Sequence, residues 1–387
     1  MELSMLCELI VDCEHKTAPT QDIGHPSIRT PNIGRGHFIL EGVNRVSEET
    51  YRLWTRRAVP QPGDLIMARE APVGNVALVP HGLNPCLGQR TLLIRPDPSQ
   101  VCPSFLNYLL NSPAVQSAIH AKTNGATVPH LNMKDVRGLA LPPLPPLSIQ
   151  HRIAGILSTY DELIENSQQR IKILEAMARA IYREWFVNFR FPGHELLPLV
   201  ASKRGHIPKG WGEATLGELV ELRKGKSITK DSVQAGKIPV VAGGMAPAYF
   251  HDTPNTHGPV ITVSASGANA GFVNLYFMDV WASDCTFVDS KTTPHVLYYY
   301  LWLDHHRVAI THLQRGSAQP HVYAKDLAAL EALDVPEHHL VAFRLQVEPL
   351  FNLMLRLKNT VENLRGTRDH LLPRLLSGEL DAAEFAA

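Results

Sequence analysis

The sequence predicts an α+β (mixed α/β) protein built as two tandem globular domains, each followed by a long helix, the two helices packing on each other. Three observations predict it. A motif-bearing stretch recurs about 190 residues further along the chain. Two matched helical seams, one after each copy, place a residue on one stripe every three and four positions. Inside each copy, short β-like runs separated by turn residues precede helical segments.

The repeat comes first, because missing it misreads the whole fold. Residues 124–139 read NGATVPHLNMKDVRGL and residues 315–330 read RGSAQPHVYAKDLAAL. Gly125/Gly316, Pro129/Pro320, His130/His321, Lys134/Lys325, Asp135/Asp326 and Leu139/Leu330 match at one offset of 191. The same offset pairs Pro103 with Pro294, Leu106 with Leu297, Tyr108 with Tyr299, Ile119 with Ile310 and Pro145 with Pro336. Near the start of each copy the offset is 210, pairing Leu6, Glu8 and Leu9 with Leu216, Glu218 and Leu219, so the first copy carries some twenty extra residues. So long a period indicates a duplicated domain, not a stack of short repeats. The domains are assigned to 1–147 and 207–335. Their β-like runs include Asp64–Met67, Val76–Val79, Thr91–Ile94, Val260–Val263 and Cys285–Val288, with helical segments near 104–120 and 295–313. The glycines of SASGANAG (264–271) suit a tight turn between strands.

LPPLPPL (141–147) cannot be helix interior, since proline lacks the N–H and clashes with the preceding turn. Ser148 is placed to cap the helix that follows. Prolines 142 and 145 also satisfy a Pro-x-x-Pro ligand pattern, beside the plainer reading of a hinge. In the first helix (148–191), Leu157, Tyr160, Ile164, Ser167, Ile171, Leu174, Ala178, Ile181 and Trp185 alternate steps of 3 and 4. Adding 190 gives Val347, Leu350, Met354, Leu357, Val361, Leu364, Arg368, Leu371 and Leu375, in the distal helix and tail (336–387). Ser167 and Arg368 interrupt the seam, and polar seam residues can fix register. Two separate surface helices would show the same pattern. Each seam is a narrow apolar stripe, however, and the two bury best against each other. Pro192-Gly193 stop the first helix, residues 192–206 form a linker, and Pro373 should kink or end the second near Leu372.

Composition bounds the function. Of 387 residues 44% are apolar and 19% charged, enough for ordinary cores. No stretch approaches the ~20 apolar residues of a membrane span. The start, MELSMLCELIVDCEHK, is acidic where a signal peptide would be basic, so the cytoplasm is the expected location. Lys+Arg and Asp+Glu are 37 each, which gives no global case for nucleic acid but leaves room for a local basic face. The 19 histidines could add positive charge at mildly acidic pH. Five cysteines without a Cys-x-x-Cys suggest free thiols, and no metal site is expected. Gly225-Lys226-Ser227 ends like a phosphate-binding loop, but the required first glycine falls on Val220. Asn84-Pro85-Cys86-Leu87 lacks the second proline and the aromatic of an adenine-methylase loop. No nucleophile elbow or paired-carboxylate signature is found. The residues read as a binding and assembly protein without catalysis.

At this point a family is recognisable. LALPPLPPLSIQHRIAGILSTYDELIENSQQRIKILEAMARAIYREWFVNF (139–189) resembles the central conserved region of the specificity subunits of type I DNA restriction–modification systems. RDHLLPRLLSGEL (368–380) resembles their distal conserved end, and IPKGWGEATLGELVEL (207–222) the start of a target-recognition domain. SASGANAGFV (264–273) and the two Gly…Pro-His…Lys-Asp stretches also fit, so the resemblance covers essentially the whole chain. It implies two target-recognition domains that each read half of a split double-stranded DNA target. It implies that the helices form an antiparallel coiled coil holding the domains apart. The implied partners are methylation subunits, usually two, which modify adenine with S-adenosylmethionine, and a restriction–translocation subunit. The chain itself would hold no cofactor and catalyse nothing. An adaptor whose duplicated domains bind protein, without DNA, is the competing reading.

Base reading needs Arg or Lys for guanine and Asn or Gln for adenine, on loops or helix ends that reach the major groove. The expected DNA-binding residues are Arg69, Asn75, Gln89, Arg90, Lys122, Asn124 and Thr127 in the first domain. In the second they are Lys224, Lys226, Ser264, Ser266, Asn269, Arg315, Ser317 and Gln319. Each is also readable as ordinary polar loop surface. His130 and His321 recur at one place, which suggests a shared structural role, and Lys134-Asp135 and Lys325-Asp326 look like solvated helix starts. Trp185, Phe186 and Phe189 crowd one helix end, as core or as a docking patch.

Overall fold

A computed structural model describes residues 1–125, 129–316 and 319–382. Its elements in chain order begin with β1 (Cys7–Asp12), β2 (His25–Ile28), β3 (Arg45–Val46), α1 (Glu48–Trp54), β4 (Leu65–Ala68), β5 (Val76–Leu78), β6 (Cys86–Leu87) and β7 (Thr91–Pro96). Helices α2 (Pro103–Asn111), α3 (Pro113–Ala121), α4 (Met133–Arg137) and α5 (Leu147–Phe186) follow. Then come β8 (Leu199–Ser202), β9 (Gly205–Pro208), β10 (Gly212–Thr215), α6 (Leu216–Leu219), β11 (Arg223–Lys224), β12 (Ile238–Val241), β13 (Tyr249–His251), β14 (Val260–Ser264), β15 (Val273–Tyr276), β16 (Trp281–Ala282) and β17 (Cys285–Asp289). The chain closes with α7 (Val296–His305), α8 (Arg307–His312), α9 (Ala324–Ala328), β18 (Glu331–Asp334) and α10 (Glu337–Leu376).

Contacts divide the chain into two units. The first is Met1–Glu165 with Val361–Ala387, and the second is Asn166–Thr360. Each therefore contains one globular copy, part of α5 and part of α10.

In the first unit the main sheet has the order β1-β7-β4-β5, all antiparallel. Its central strands β4 and β7 are buried on both faces, hence their near-continuous apolar runs LIMA and TLLI. One face packs under α2 and α3 with Phe105, Leu106, Leu109 and Ile119. The other covers Ile28, Ile33, Ile66 and Leu93. A small sheet β3-β2-β6 lies beside it, with β2 and β6 parallel. Leu157 of α5 and Leu371 and Leu375 of α10 close the main core.

The second unit repeats this plan. Its sheet β11-β17-β14-β15 is antiparallel, and its small sheet β13-β12-β16 again contains one parallel pair, β12 with β16. The expected strands all form, to within two residues. The helical stretches each break into two, at Ser112-Pro113 and at His306. Ser112 explains the first break, since its hydroxyl accepts from Val115 N and Pro113 has the fixed φ of a first helical residue.

The seams are buried or half-buried throughout. Leu157, Val347 and Ala178 are fully buried, and Ile164, Leu174, Trp185, Met354, Leu357 and Val361 nearly so. Tyr160, Ile171, Ile181, Leu350, Leu364 and Leu371 are half-buried. In the first unit Asp161, early in α5, meets Arg368, late in α10. In the second unit Trp185, late in α5, packs on Phe343, early in α10, with ring centroids 5.6 Å apart. Both contacts order the helices antiparallel. The Arg368 interruption is satisfied by that ion pair, and Tyr108 of α2 donates to the same Asp161 carboxylate at 2.6 Å. In the second unit Asp304 pairs with Arg179 of α5 and with Arg307.

Two expectations about proline and capping are corrected. Pro373 neither ends nor breaks the helix, and Pro349 also lies inside α10, which runs unbroken to Leu376. Both prolines are exposed, as are Leu345 and Asp369, whose carbonyls lose their usual N–H partner and are left to water. Ser148 is not the cap of α5. The helix begins at Leu147, and Pro146 O takes the first bonds from Ile149 and Gln150 N. Gln150, almost fully buried, bonds Pro145 O and accepts from Cys102 N.

Burial holds the His306 and His339 imidazoles below their ordinary value, so they resist protonation in the folded second unit. A depressed base contributes stability above its unfolded pKa and loses it as pH falls. The second unit should therefore weaken as pH drops below about 6.5. Unfolding midpoints followed against pH check this, and replacing both residues with glutamine should flatten the acid slope.

Candidate nucleic-acid interface

The two recurring loops have one construction. His130 N bonds Asn124 O and the reverse bond returns, both at 2.9 Å; His321 and Arg315 exchange the same pair at 2.9 Å. Each histidine also bridges a strand-end residue, Glu70 for His130 and Ser266 for His321. The backbone doublets close the bases of the two recurring loops, at residues 124 and 130 and at 315 and 321, just beyond the ends of β4 and β14. Positions 130 and 321 thus share a main-chain role at the loop base, and the His321 ring adds a bond between Nδ1 and Gln319 O at 2.9 Å. Thr127 and Ser317 lie outside the described residues. Lys122, Asn124 and Gln319 flank the loops, Asn124 and Gln319 being exposed and Lys122 half-buried.

Several expected readers are engaged by their own unit. Arg69 is an ion-pair partner of Asp12 and donates to Leu131 O at 2.9 Å, with a side chain only 15% exposed. Asn75 donates to Ile33 O at 2.9 Å. Arg315 pairs with Asp326 at 2.8 Å, and Asp326 is 13% exposed, so this aspartate anchors the loop and is not the solvated helix start expected. Ser264 is buried and donates to Gly243 O, while Ser266 donates to Asp284. These bonds aim loops. Arg90 stands half-exposed, paired with Glu70 at 2.9 Å, with a left-handed backbone (φ 67°). Gln89 accepts from Thr17 at 3.4 Å. Asn269 sits half-buried in the expected turn between β14 and β15, where Gly267 and Gly271 take φ of 81° and 86°.

Lys224 and Lys226 are exposed on and just after β11. They belong to a run that composition averaged away. Between 223 and 237 there are five basic residues and one acidic, Asp231. Arg223 is paired with Glu221, but among the described residues no ion pair involves Lys224, Lys226, Lys230 or Lys237. Lys230 and Lys237 were missed as candidates, although the charge density of this segment was readable. Trp185 and Phe186 are buried in the core of the second unit, and Phe189, half-buried, packs against it with its ring 5.6 Å from that of Trp211.

Asp12, Cys13 and His15 are close enough to share a cation, but the Asp12 carboxylate already serves Arg69 and His15. All five cysteines are free thiols, and burial pushes Cys7, Cys86 and Cys285 up to about 12, which makes them unreactive. Among the described residues no helix is long and apolar enough to cross a membrane.

This duplicated architecture has known counterparts. Residues 44–176 and 208–336 match the model of the type I restriction modification DNA specificity domain, and the chain belongs to that family. The MjaIX specificity subunit of a type I restriction enzyme from Methanocaldococcus jannaschii is 24% identical over 369 residues, 90% of this chain and 84% of that one. A putative type I specificity subunit of Mycoplasma genitalium is 27% identical over 46% of this chain and 45% of its own. Among solved structures, the S subunit of the type I system of Mycoplasma genitalium superposes with a TM-score of 0.61 at 19% identity, covering 97% of this chain and 95% of that one.

Proposed function

We propose that this chain is the sequence-reading subunit of a type I restriction–modification complex. Each globular copy reads one half of a split, asymmetric double-stranded DNA target, and the paired helices set the spacer between halves. Methylation subunits, two per chain, dock on this frame and bring S-adenosylmethionine and the adenine chemistry. A restriction–translocation subunit joins where cutting is added. The chain contributes recognition and geometry, with no catalytic group of its own, in the cytoplasm.

The observation that carries this is the doubling of one loop construction. Each unit closes the base of its recurring loop with a main-chain doublet at a histidine position, yet the loop sequences differ, ATV against SAQ at 126–128 and 317–319. Equal frames with unequal tips suit one target made of two different halves. The unpaired lysines of 224–237 supply the local positive charge that the neutral total hides. Exposed Ile173 and Met177 on α5 and Leu345 on α10 offer apolar surface for docking in the second unit.

Co-expression with its methylation subunits and long-read mapping of N6-methyladenine should give a bipartite, asymmetric motif with one fixed spacer. Replacing residues 1–140 by the first domain of another family member should change one half-site only; a change in both would refute modular reading. Binding should fall steeply with salt, because phosphate contacts release counterions. An affinity indifferent to salt would favour the protein-adaptor reading.

A further inference from the structure

The small sheet β13-β12-β16 of the second unit leaves large apolar side chains exposed. On edge strand β13, Tyr249 is 37% and Phe250 55% exposed, and Met245, in the turn before it, is 62% exposed. Large apolar groups on a free strand edge invite partners unless charge guards them.

Here lysine-bearing backbone lies against the sheet on two sides. Tyr249 is paired with Val240 of β12, and Val240 with Trp281 of β16. The Trp281 indole donates to Lys226 O at 2.8 Å, which fixes the Lys224–Lys226 segment to this sheet. On the other side, a Cβ on Gly236 would come within 2.1 Å of His251 O, so the backbone that leads into Lys237 lies against the end of β13. Phe250 and, on the opposite face of β13, Tyr249 thus lie on one short sheet against which the backbone of Lys226 and the backbone leading into Lys237 are packed. The carboxylates next to these segments are Asp231, Asp252, Asp279 and Asp284; Asp252 faces His251 at 3.3 Å, Asp279 accepts from Gly258 N at 2.9 Å and Asp284 accepts from the Ser266 hydroxyl.

We propose that Phe250 contacts a thymine 5-methyl group in the major groove of the second half-site, while Lys226 and Lys237 hold the flanking phosphates. This rests on the DNA-reading function above. Strands enter the major groove in several DNA-binding architectures. The thymine methyl is the one apolar feature a base edge shows there, and phenylalanine is among its partners. The unpaired lysines favour DNA over an apolar protein partner, because phosphate is the ligand that gains most from them.

The test uses the full chain in complex with its methylation subunits, on its mapped motif. Each thymine of the second half-site is replaced in turn by deoxyuridine, which deletes only the 5-methyl group. At one position the wild-type complex should lose affinity about three- to tenfold, the worth of one or two buried methyl contacts. Phe250→Ala should lose a similar factor on thymine DNA and no longer distinguish uracil there. Lys226→Ala should weaken binding evenly across sequences and lower the salt slope by about one. Both side chains are exposed, so the variants are expected to fold. Full thymine–uracil discrimination by Phe250→Ala would overturn the proposal, as would a half-site without thymine on either strand. Selective loss of methylation-subunit binding in Phe250→Ala would make the patch a protein-docking surface and overturn it too. A wild-type complex with no motif at all would instead sink the DNA reading, and this assignment with it.

Discussion

Phe343→Ala is expected to destabilise the second unit by about 3–5 kcal/mol, the range for deleting a buried aromatic ring from a packed core. Phe343 is fully buried at the start of α10. Its ring meets Phe186 at 4.8 Å, Trp185 at 5.6 Å, Tyr298 at 6.2 Å and Tyr182 at 6.3 Å between centroids. Those rings come from α5 and α7, so one side chain joins three helices. Alanine leaves a cavity walled by rigid rings that cannot collapse into it. Edge-to-face geometry adds to the loss, at about 0.5–1.5 kcal/mol per aromatic pair beyond the area buried. Leucine keeps most of the volume and should cost clearly less. Urea unfolding followed by tryptophan fluorescence is the measurement, since four of the five tryptophans (Trp185, Trp211, Trp281 and Trp302) lie in this unit. A loss below about 1 kcal/mol would mean that the aromatic cluster is not a cooperative core.

That cluster also shows what the sequence could and could not disclose. The seam was legible, because an alternation of 3 and 4 over nine positions is imposed by helix geometry itself. Phe343 and Phe351 were not on it. They are buried because each helix also packs on its own globular copy, a second face that a strict seam does not describe. Arg368 broke the pattern on paper, and its partner Asp161 stands 207 residues away, beyond any local rule. The prolines misled for a related reason. Their cost depends on whether the freed carbonyl meets water, which spacing does not tell.

The candidate interface was legible by residue type and not by engagement. Arg69, Asn75 and Ser264 are the right chemistry for reading bases, yet each is spent on a bond inside its unit. Lys224 and Lys226, both candidates from the sequence, are exposed. Lys230, Lys237, Tyr249 and Phe250 were not among the candidates, because a neutral total and isolated aromatics carry no signal on their own. The repeat was the most informative feature, since it identified the His130 and His321 loops as equivalent before any geometry was known.

Inserting one whole heptad into both α5 and α10 is expected to abolish methylation at the original motif and restore it at a longer spacer. The seam from Leu157 to Trp185 is roughly 42 Å of helix at 1.5 Å per residue, a little more than one DNA turn of roughly 34–36 Å. Seven residues add about 10 Å, the rise of about three base pairs. A heptad preserves the seam, because seven residues return a helix to within ~20° of its starting face. The inserted residues should therefore continue Leu and Ile at the 3–4 spacing, placed opposite each other in the two helices. Insertion in one helix alone would leave a seven-residue bulge and should destabilise the pair without giving a new spacer. Three base pairs also turn the second half-site by about 100° around the DNA axis. The lengthened subunit must absorb that rotation, so its activity should be weaker than the wild type's even on the best spacer. The measurement is methylation of a library in which the two half-sites are kept and the spacer is varied. An optimum longer by two to three base pairs supports helices that act as a ruler. An optimum unchanged from the wild type, in a variant shown to be folded, would assign spacer choice to the DNA-reading domains themselves.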